Sequence, residues 1–184
     1  LHDRYGQDEH YQARFRREAR SLASLSHPSI AQIFSIDTAE DGSLYIVMEY
    51  VEGSSVQELL AEDGKLGVED SIRFVRQVAQ GLQAALDGGL IHRDIKPGNI
   101  LFDETGRAYL GDFGIAKVMA EGDESDEKLT GTGSMIGTAE YMAPEMLLAS
   151  PAWDEKIDVF SFGMLMWVTL HRSQEPLAAF AGVC

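Results

Sequence analysis

His92-Arg93-Asp94-Ile95-Lys96-Pro97-Gly98-Asn99, then Asp112-Phe113-Gly114 thirteen residues after Asn99, then Gly137-Thr138-Ala139-Glu140-Tyr141-Met142-Ala143-Pro144-Glu145: the reading of this 184-residue sequence turns on these three stretches. From Leu90 onward the apolar residues lose their period and the residue types become chemical. Asp94, Lys96, Asn99 and Asp112 are spread over loops and short strands such as Ile100-Leu101-Phe102. Functional side chains concentrate on such loops. Taken singly, each acid reads as well as a turn or cap residue. Only their joint order says more.

Upstream, Phe15, Leu22 and Leu25 share one face of a helix expected from about Asp8 to Leu25, and a step of three from Phe15 falls on Glu18. Glu18 is therefore expected to face the core. A carboxylate there needs a cation or strong donors, because an unpaired buried charge is costly or gives up its charge. Gln32-Ile33-Phe34-Ser35-Ile36 and Leu44-Tyr45-Ile46-Val47-Met48 are β-rich runs, and Asp41-Gly42 between them reads as a hairpin turn. Past Glu49-Tyr50-Val51-Glu52-Gly53 a short polar helix is predicted to about Glu62. Ile72, Val75, Ala79, Leu82 and Leu86 then step by three and four, which predicts an amphipathic helix with these residues as its apolar stripe, ended by Gly88-Gly89. Val159 to Leu170 is apolar almost all round, interrupted by Ser161, Gly163 and Thr169, the pattern of a helix buried on every side. Only fourteen residues follow it, so a covering element is expected to be missing. The acidic run Glu121-Gly122-Asp123-Glu124-Ser125-Asp126-Glu127 reads as a solvated loop, since its spacing lacks the alternation of a calcium-binding loop.

Composition narrows the function. With 45% hydrophobic and 24% charged residues the chain can build a core, in one piece or as two lobes. Thirty acidic against fifteen basic side chains give a net charge of −15, which disfavours nucleic acid and anionic membranes as partners. The single cysteine, Cys184, excludes a disulfide framework and CxxC zinc sites. No apolar run reaches the ~20 residues of a membrane span, and the first residues lack a signal-peptide core. A cytoplasmic protein, or the cytoplasmic portion of a larger one, is expected. The absence of a starting Met suggests a segment of something longer.

His92 to Asn99 matches the catalytic-loop pattern HRDxxxxN, Asp112-Phe113-Gly114 supplies DFG, and Ala143-Pro144-Glu145 closes an activation segment. With all three in order, the chain resembles the eukaryotic-like, Hanks-type Ser/Thr protein kinases from about residue 11 to 170. Arg16-Arg17-Glu18-Ala19, Ile46-Val47-Met48-Glu49-Tyr50 and Gly137 to Tyr141 look most like the bacterial members. The resemblance implies an α+β, protein-kinase-like bilobal fold. Residues 1–50 would form a partial N-lobe, one helix with two or more strands, and residues 51–184 an incomplete helical C-lobe. It also implies ATP as co-substrate, Mg²⁺, and a protein Ser or Thr hydroxyl as acceptor. Asp94 would orient the hydroxyl or take its proton, and Lys96 would set a cation against the γ-phosphate. Asn99 and Asp112 would hold Mg²⁺ as hard oxygen ligands. Met48 leads to a hinge where the backbone of Glu49 and Val51 would bond adenine, with Leu101 as floor; core packing explains Met48 and Leu101 equally well. Leu22, Ile33, His92 and Phe113 would stack in a column, with Asp158 anchoring the catalytic loop. Arg93 beside Asp94 implies control by phosphorylation at Thr130 or Thr132, with Ser134 behind them, and Lys117 with Arg14 or Arg17 could complete the phosphate pocket. Solvated surface charge is the rival reading for those three cations. Thr138 would bridge Asp94 and Lys96.

The match is incomplete. The family clamps phosphates with a Gly-rich loop and a strand lysine that pairs with the helix glutamate, here Glu18. The lysines are 65, 96, 117, 128 and 156, so none precedes Glu18. Gly131 to Gly137 only superficially has the Gly-rich pattern, and it stands between DFG and APE. These 184 residues are therefore expected to be a fragment with little activity alone. A pseudokinase or regulatory partner-binding module is the alternative, disfavoured by the intact Asp94, Asn99 and Asp112. A small-molecule phosphotransferase of related fold is disfavoured by Lys96 and by the docking segment from Gly137 to Glu145.

Overall fold

The computed structural model describes residues 9–40, 43–63, 66–114, 139–147 and 153–170. Helix α1 (Glu9–Ala23) lays Phe15, Ala19 and Leu22 against two antiparallel strands, β1 (Ile33–Thr38) and β2 (Leu44–Met48). Burying Phe15 and Leu22 contributes about 1.5–3 kcal/mol each. The hairpin pairs Thr38 with Leu44, and the Ala39 N–H donates to the Ser43 carbonyl at 2.8 Å; the Asp41-Gly42 turn lies outside the described residues, as does the side chain of Glu18.

The larger core begins with a strand that the sequence reading missed. β3 (Gly53–Ser55) pairs antiparallel with β4 (Ile100–Asp103), which pairs with β5 (Ala108–Leu110). Gly53 is required there because a Cβ would collide with the Phe102 carbonyl. Ser55 then caps α2 (Val56–Asp63): its hydroxyl accepts the Glu58 N–H, and Glu58 accepts the Ser55 N–H at 2.7 Å. This reciprocal pair satisfies two amides that a helix start leaves open.

Helix α3 (Val68–Asp87) corrects the expected stripe by one residue. Its buried line is Ser71, Phe74, Val78, Gly81 and Ala85, while Ile72 is 64% and Leu86 41% exposed. The small residues decide the contact. A Cβ on Gly81 would stand 2.8 Å from Leu110 Cδ1 and 3.0 Å from the Ser29 carbonyl, so glycine lets β5 and the chain after α1 approach the helix. Leu110 exchanges backbone bonds of 2.9 Å with Ser29 and Ala31. The helix ends as expected: Gly89 takes φ +73°, its N–H bonds the Leu86 carbonyl, and the Leu90 N–H bonds that of Ala85.

A turn at Ala139–Tyr141 leads into the short α4 (Pro144–Leu147), and α5 (Lys156–Leu170) packs on α3 and on that turn. Met142, Ala143 and Met146 form a small cluster with Ile157, against which Ile91 packs. Ile157, Met164, Leu165 and Val168 of α5 are buried, but Val159 is 67% exposed, so among the described residues α5 is not covered on every side. Leu90 and Phe113 touch both the α1 core and the α3–α5 core, and the segment carrying Asp94 starts between them.

Candidate active site

The loop from Leu90 to Asn99 has no regular structure before the turn Pro97–Asn99, so its shape must be imposed from outside. Asp158, in the first turn of α5, does this: its Oδ2 accepts the His92 N–H at 2.6 Å and its Oδ1 the Arg93 N–H at 2.8 Å. Arg93 is held at φ +65°, a conformation that costs a non-glycine residue about 1–3 kcal/mol unless its surroundings dictate it. The strain sits one residue before Asp94.

His92 is fully buried, its ring 4.3 Å from that of Phe113. Its Nδ1 accepts the Asp94 N–H at 3.3 Å, which leaves Nε2–H to donate to the Gly111 carbonyl at 3.0 Å. Both ring nitrogens are thus used by the neutral imidazole. Burial holds the pKa below the ordinary histidine value, against the pull of Asp158 and Asp94. The sign follows from proton counts. Below about pH 6.5 the unfolded imidazole binds a proton that the folded one refuses, so folding stability falls as pH drops through that value. Thermal unfolding at pH 7.5 and 5.5 should show this loss, and His92→Phe should flatten it; a wild-type melting temperature independent of pH over this range would refute the assignment.

Leu22 belongs to the cluster against which Ile33 and Phe113 pack, the Phe113 ring lies against that of His92, and the His92 N–H ends on Asp158. Asp94, Lys96, Asn99 and Asp112 converge. Lys96 Nζ lies 2.8 Å from Asp94 Oδ2. Asn99 Nδ2 donates to Asp94 Oδ2 at 2.9 Å and to the Asp94 carbonyl at 2.8 Å, and lies 3.4 Å from the Asp112 carbonyl. The turn that aims Asn99 is closed by its N–H on the Lys96 carbonyl, and Gly111 bonds back to the Asn99 carbonyl at 2.9 Å. Asp112 is exposed at φ +44°. Asp112 and Asp94 line the same cleft, about 450 Å³, whose lining also includes Ala31, Ile33 and Met48.

Not every candidate meets there. Met48 lines the cleft, while Glu49, Val51 and Leu101 do not. Glu49 is bound to Gln32 through its N–H at 2.7 Å and through its carboxylate, so of its two backbone groups only the carbonyl could serve a ligand. Leu101 packs beside Gly111. Arg17 is exposed on α1. Thr130, Thr132, Ser134, Lys117 and Thr138 lie outside the described residues, as do the side chains of Arg14 and Glu18. Ala31 and Leu110 in the cleft wall belong to no motif; the small residue just before a β-rich run was the available signal for Ala31.

The donor set suits a hard cation. The Asn99 amide nitrogen is turned to Asp94, so the Asn99 side chain keeps its own Oδ1 as an acceptor, and no described donor bonds the Asp112 carboxylate. Among the described residues no group of three His, Cys, Asp or Glu forms a self-sufficient metal cage. Two oxygen ligands on two loops fit Mg²⁺, which takes few protein groups and leaves the rest of its shell to phosphates and water.

A helix that grips a strained, acid-bearing loop, with a second acid lining the same cleft between two cores, is the arrangement of a protein kinase domain. The family model for the protein kinase domain matches residues 2–179, and the chain belongs to that family. It is 40% identical over 168 residues to the probable serine/threonine-protein kinase SCO3848 of Streptomyces coelicolor, covering 89% of this chain and 24% of that protein. It is 40% identical over 165 residues to the probable serine/threonine-protein kinase PknB of Corynebacterium glutamicum (87% and 25%) and 36% identical over 166 residues to the serine/threonine-protein kinase PrkC of Bacillus subtilis (90% and 24%). The chain thus spans about a quarter of the length of these relatives. Among the described residues no helix is long and apolar enough to cross a membrane.

Proposed function

We propose that this chain carries the phosphoryl-transfer site of a Ser/Thr protein kinase, moving the γ-phosphoryl group of ATP to a protein hydroxyl. The observation that carries the reading is the convergence of Asp94 and Asp112 on one cleft, with Lys96 and Asn99 both within 3 Å of Asp94. In the proposed step the acceptor hydroxyl oxygen forms a bond to the γ-phosphorus and its proton passes to Asp94 Oδ. The bond from phosphorus to the bridging oxygen breaks, and ADP leaves with that electron pair. Lys96 places positive charge beside the transferring group, and Asn99 holds the Asp94 carboxylate in place. Asn99 Oδ1 and Asp112 would hold Mg²⁺, which supplies charge neutralisation of the phosphates when bound. Met48 would border the adenine, with the Glu49 carbonyl and the Val51 backbone beyond it and Leu101 below. Glu18 of α1 would pair with the lysine by which the family binds the other phosphates. Residues 1–50 and 51–184 are proposed as the two lobes, residues 137–145 as the protein-docking segment, and Thr130 or Thr132 as phosphosites read by Arg93. The net charge of −15 supports a protein rather than a nucleic-acid partner, and the lone Cys184 a reducing, cytoplasmic setting.

The test is transfer of labelled γ-phosphate to a mixture of Ser and Thr peptides with and without Mg²⁺, using the 184-residue chain and the same chain extended through its flanking codons. Magnesium-dependent phosphoserine or phosphothreonine, abolished by Asp112→Asn, is expected from the extended protein. ATP binding without transfer by either form would instead identify a binding module.

A further inference from the structure

We propose that Ser161 is a positioning residue that fixes residues 139–147, and with them the protein substrate, relative to Asp94. The inference rests on the function proposed above and identifies what holds the protein half of that reaction. Ser161 is buried on α5, and its Oγ donates to the Tyr141 carbonyl at 2.6 Å, with the Ile157 carbonyl of its own helix at 3.0 Å. A hydroxyl has one proton, and the local acceptor alone would satisfy it. The shorter contact therefore goes to a different segment. Alanine would form the helix better and bury no hydroxyl, so serine at this position is explained by what it ties down.

What it ties is set by Asp158, one turn earlier. Residues three apart share a helix face. Asp158 holds the amides of His92 and Arg93, next to Asp94, while Ser161 holds the last carbonyl of the Ala139–Tyr141 turn. One rigid helical turn, about 5 Å of rise, thus sets the spacing between the acid-bearing loop and the docking segment. Ile91 packs against the cluster that Met142, Ala143 and Met146 form with Ile157, so the two segments share one small core and a shift of one is felt by the other. The nucleotide side of Asp94, with Asn99 and Asp112, has no bond to Ser161.

Losing this bond should therefore weaken protein binding and spare the nucleotide. In the extended protein, Ser161→Ala should raise KM for the peptide roughly fivefold, the value of one ordinary hydrogen bond, while KM for ATP and peptide-free ATP hydrolysis stay at wild-type levels. Ser161→Thr, which keeps the hydroxyl, should restore the peptide KM. An unchanged peptide KM, or equal rises for peptide and ATP, would overturn the proposal. Hydrogen exchange judges it without any turnover: Ser161→Ala should speed exchange of the Met142 amide, bonded at 3.2 Å to Ala139, and leave those of His92 and Arg93 protected. Equal acceleration of both sets would reduce Ser161 to general core stability and sink the idea. A wild-type protein that transfers no phosphate counts against the proposed function alone, since the exchange result still decides the role of Ser161.

Discussion

Asp94→Asn in the extended protein is expected to lower phosphoryl transfer by about a thousandfold, the middle of the range for a positioned general base. It should move the melting temperature little. The substitution keeps the shape of the side chain and can still offer an oxygen to Asn99 Nδ2, so the loop has no cause to rearrange. It removes two things: the group that can take the hydroxyl proton, and the anion that Lys96 faces at 2.8 Å. KM for ATP should change little, because in the proposed mechanism Asp94 would meet the acceptor and Asp112 the metal. Loss of kcat at constant KM marks an interaction made in the transition state. Transfer at the wild-type rate by Asp94→Asn would move the base elsewhere and dissolve the proposed mechanism. Equal loss of rate and of thermal stability would mean that Asp94 is a scaffold residue.

Much of this site was legible because its chemistry depends on residue types that cannot be exchanged. On the proposed function the hydroxyl-orienting acid, the cation and the two oxygen ligands would be Asp94, Lys96, Asn99 and Asp112, and the spacing of these four survives whatever the rest of the chain does. Helix α1, both strands of the hairpin and the end of α3 at Gly88-Gly89 were readable from period and turn chemistry. The stripe of α3 was not. Pattern reading follows the largest apolar side chains, Ile72, Leu82 and Leu86, whereas the actual contact uses Gly81 and Ala85, whose smallness admits β5. Burial by close approach leaves no hydrophobic signal. β3 failed for a related reason: Gly53-Ser54-Ser55 has no strand propensity and becomes a strand only through β4, fifty residues away in sequence. There the sequence did hold an unused clue, since Ser55 followed three places later by Glu58 is a helix-start signature that excludes an earlier helical beginning. Ser161 read as an interruption in an apolar helix, and nothing short of Tyr141 standing beside it shows otherwise.

Asp158→Ala is the substitution with the largest expected effect on stability. Asp158 is nearly buried, and the two amides that it accepts belong to His92, which is wholly buried, and to Arg93. Alanine supplies no acceptor. Leaving a buried donor unsatisfied costs about 1–3 kcal/mol, so two such donors come to roughly 3–5 kcal/mol. For a domain of this size, that is a fall in melting temperature of about 10 °C. Arg93 adds to this, because its φ of +65° is tolerated only while its N–H is pinned. Asp158→Asn separates the two contributions. It keeps one oxygen for one amide and turns an amide nitrogen toward the other, so its melting temperature should lie between those of wild type and Asp158→Ala. Transfer by Asp158→Asn should nevertheless fall well below wild type, because Asp94 follows Arg93 directly and inherits any change in its backbone. A melting temperature for Asp158→Ala within about 2 °C of wild type, less than one unsatisfied amide would cost, would show that the catalytic loop holds its own shape, and α5 would then cease to be the element that sets the geometry of the site.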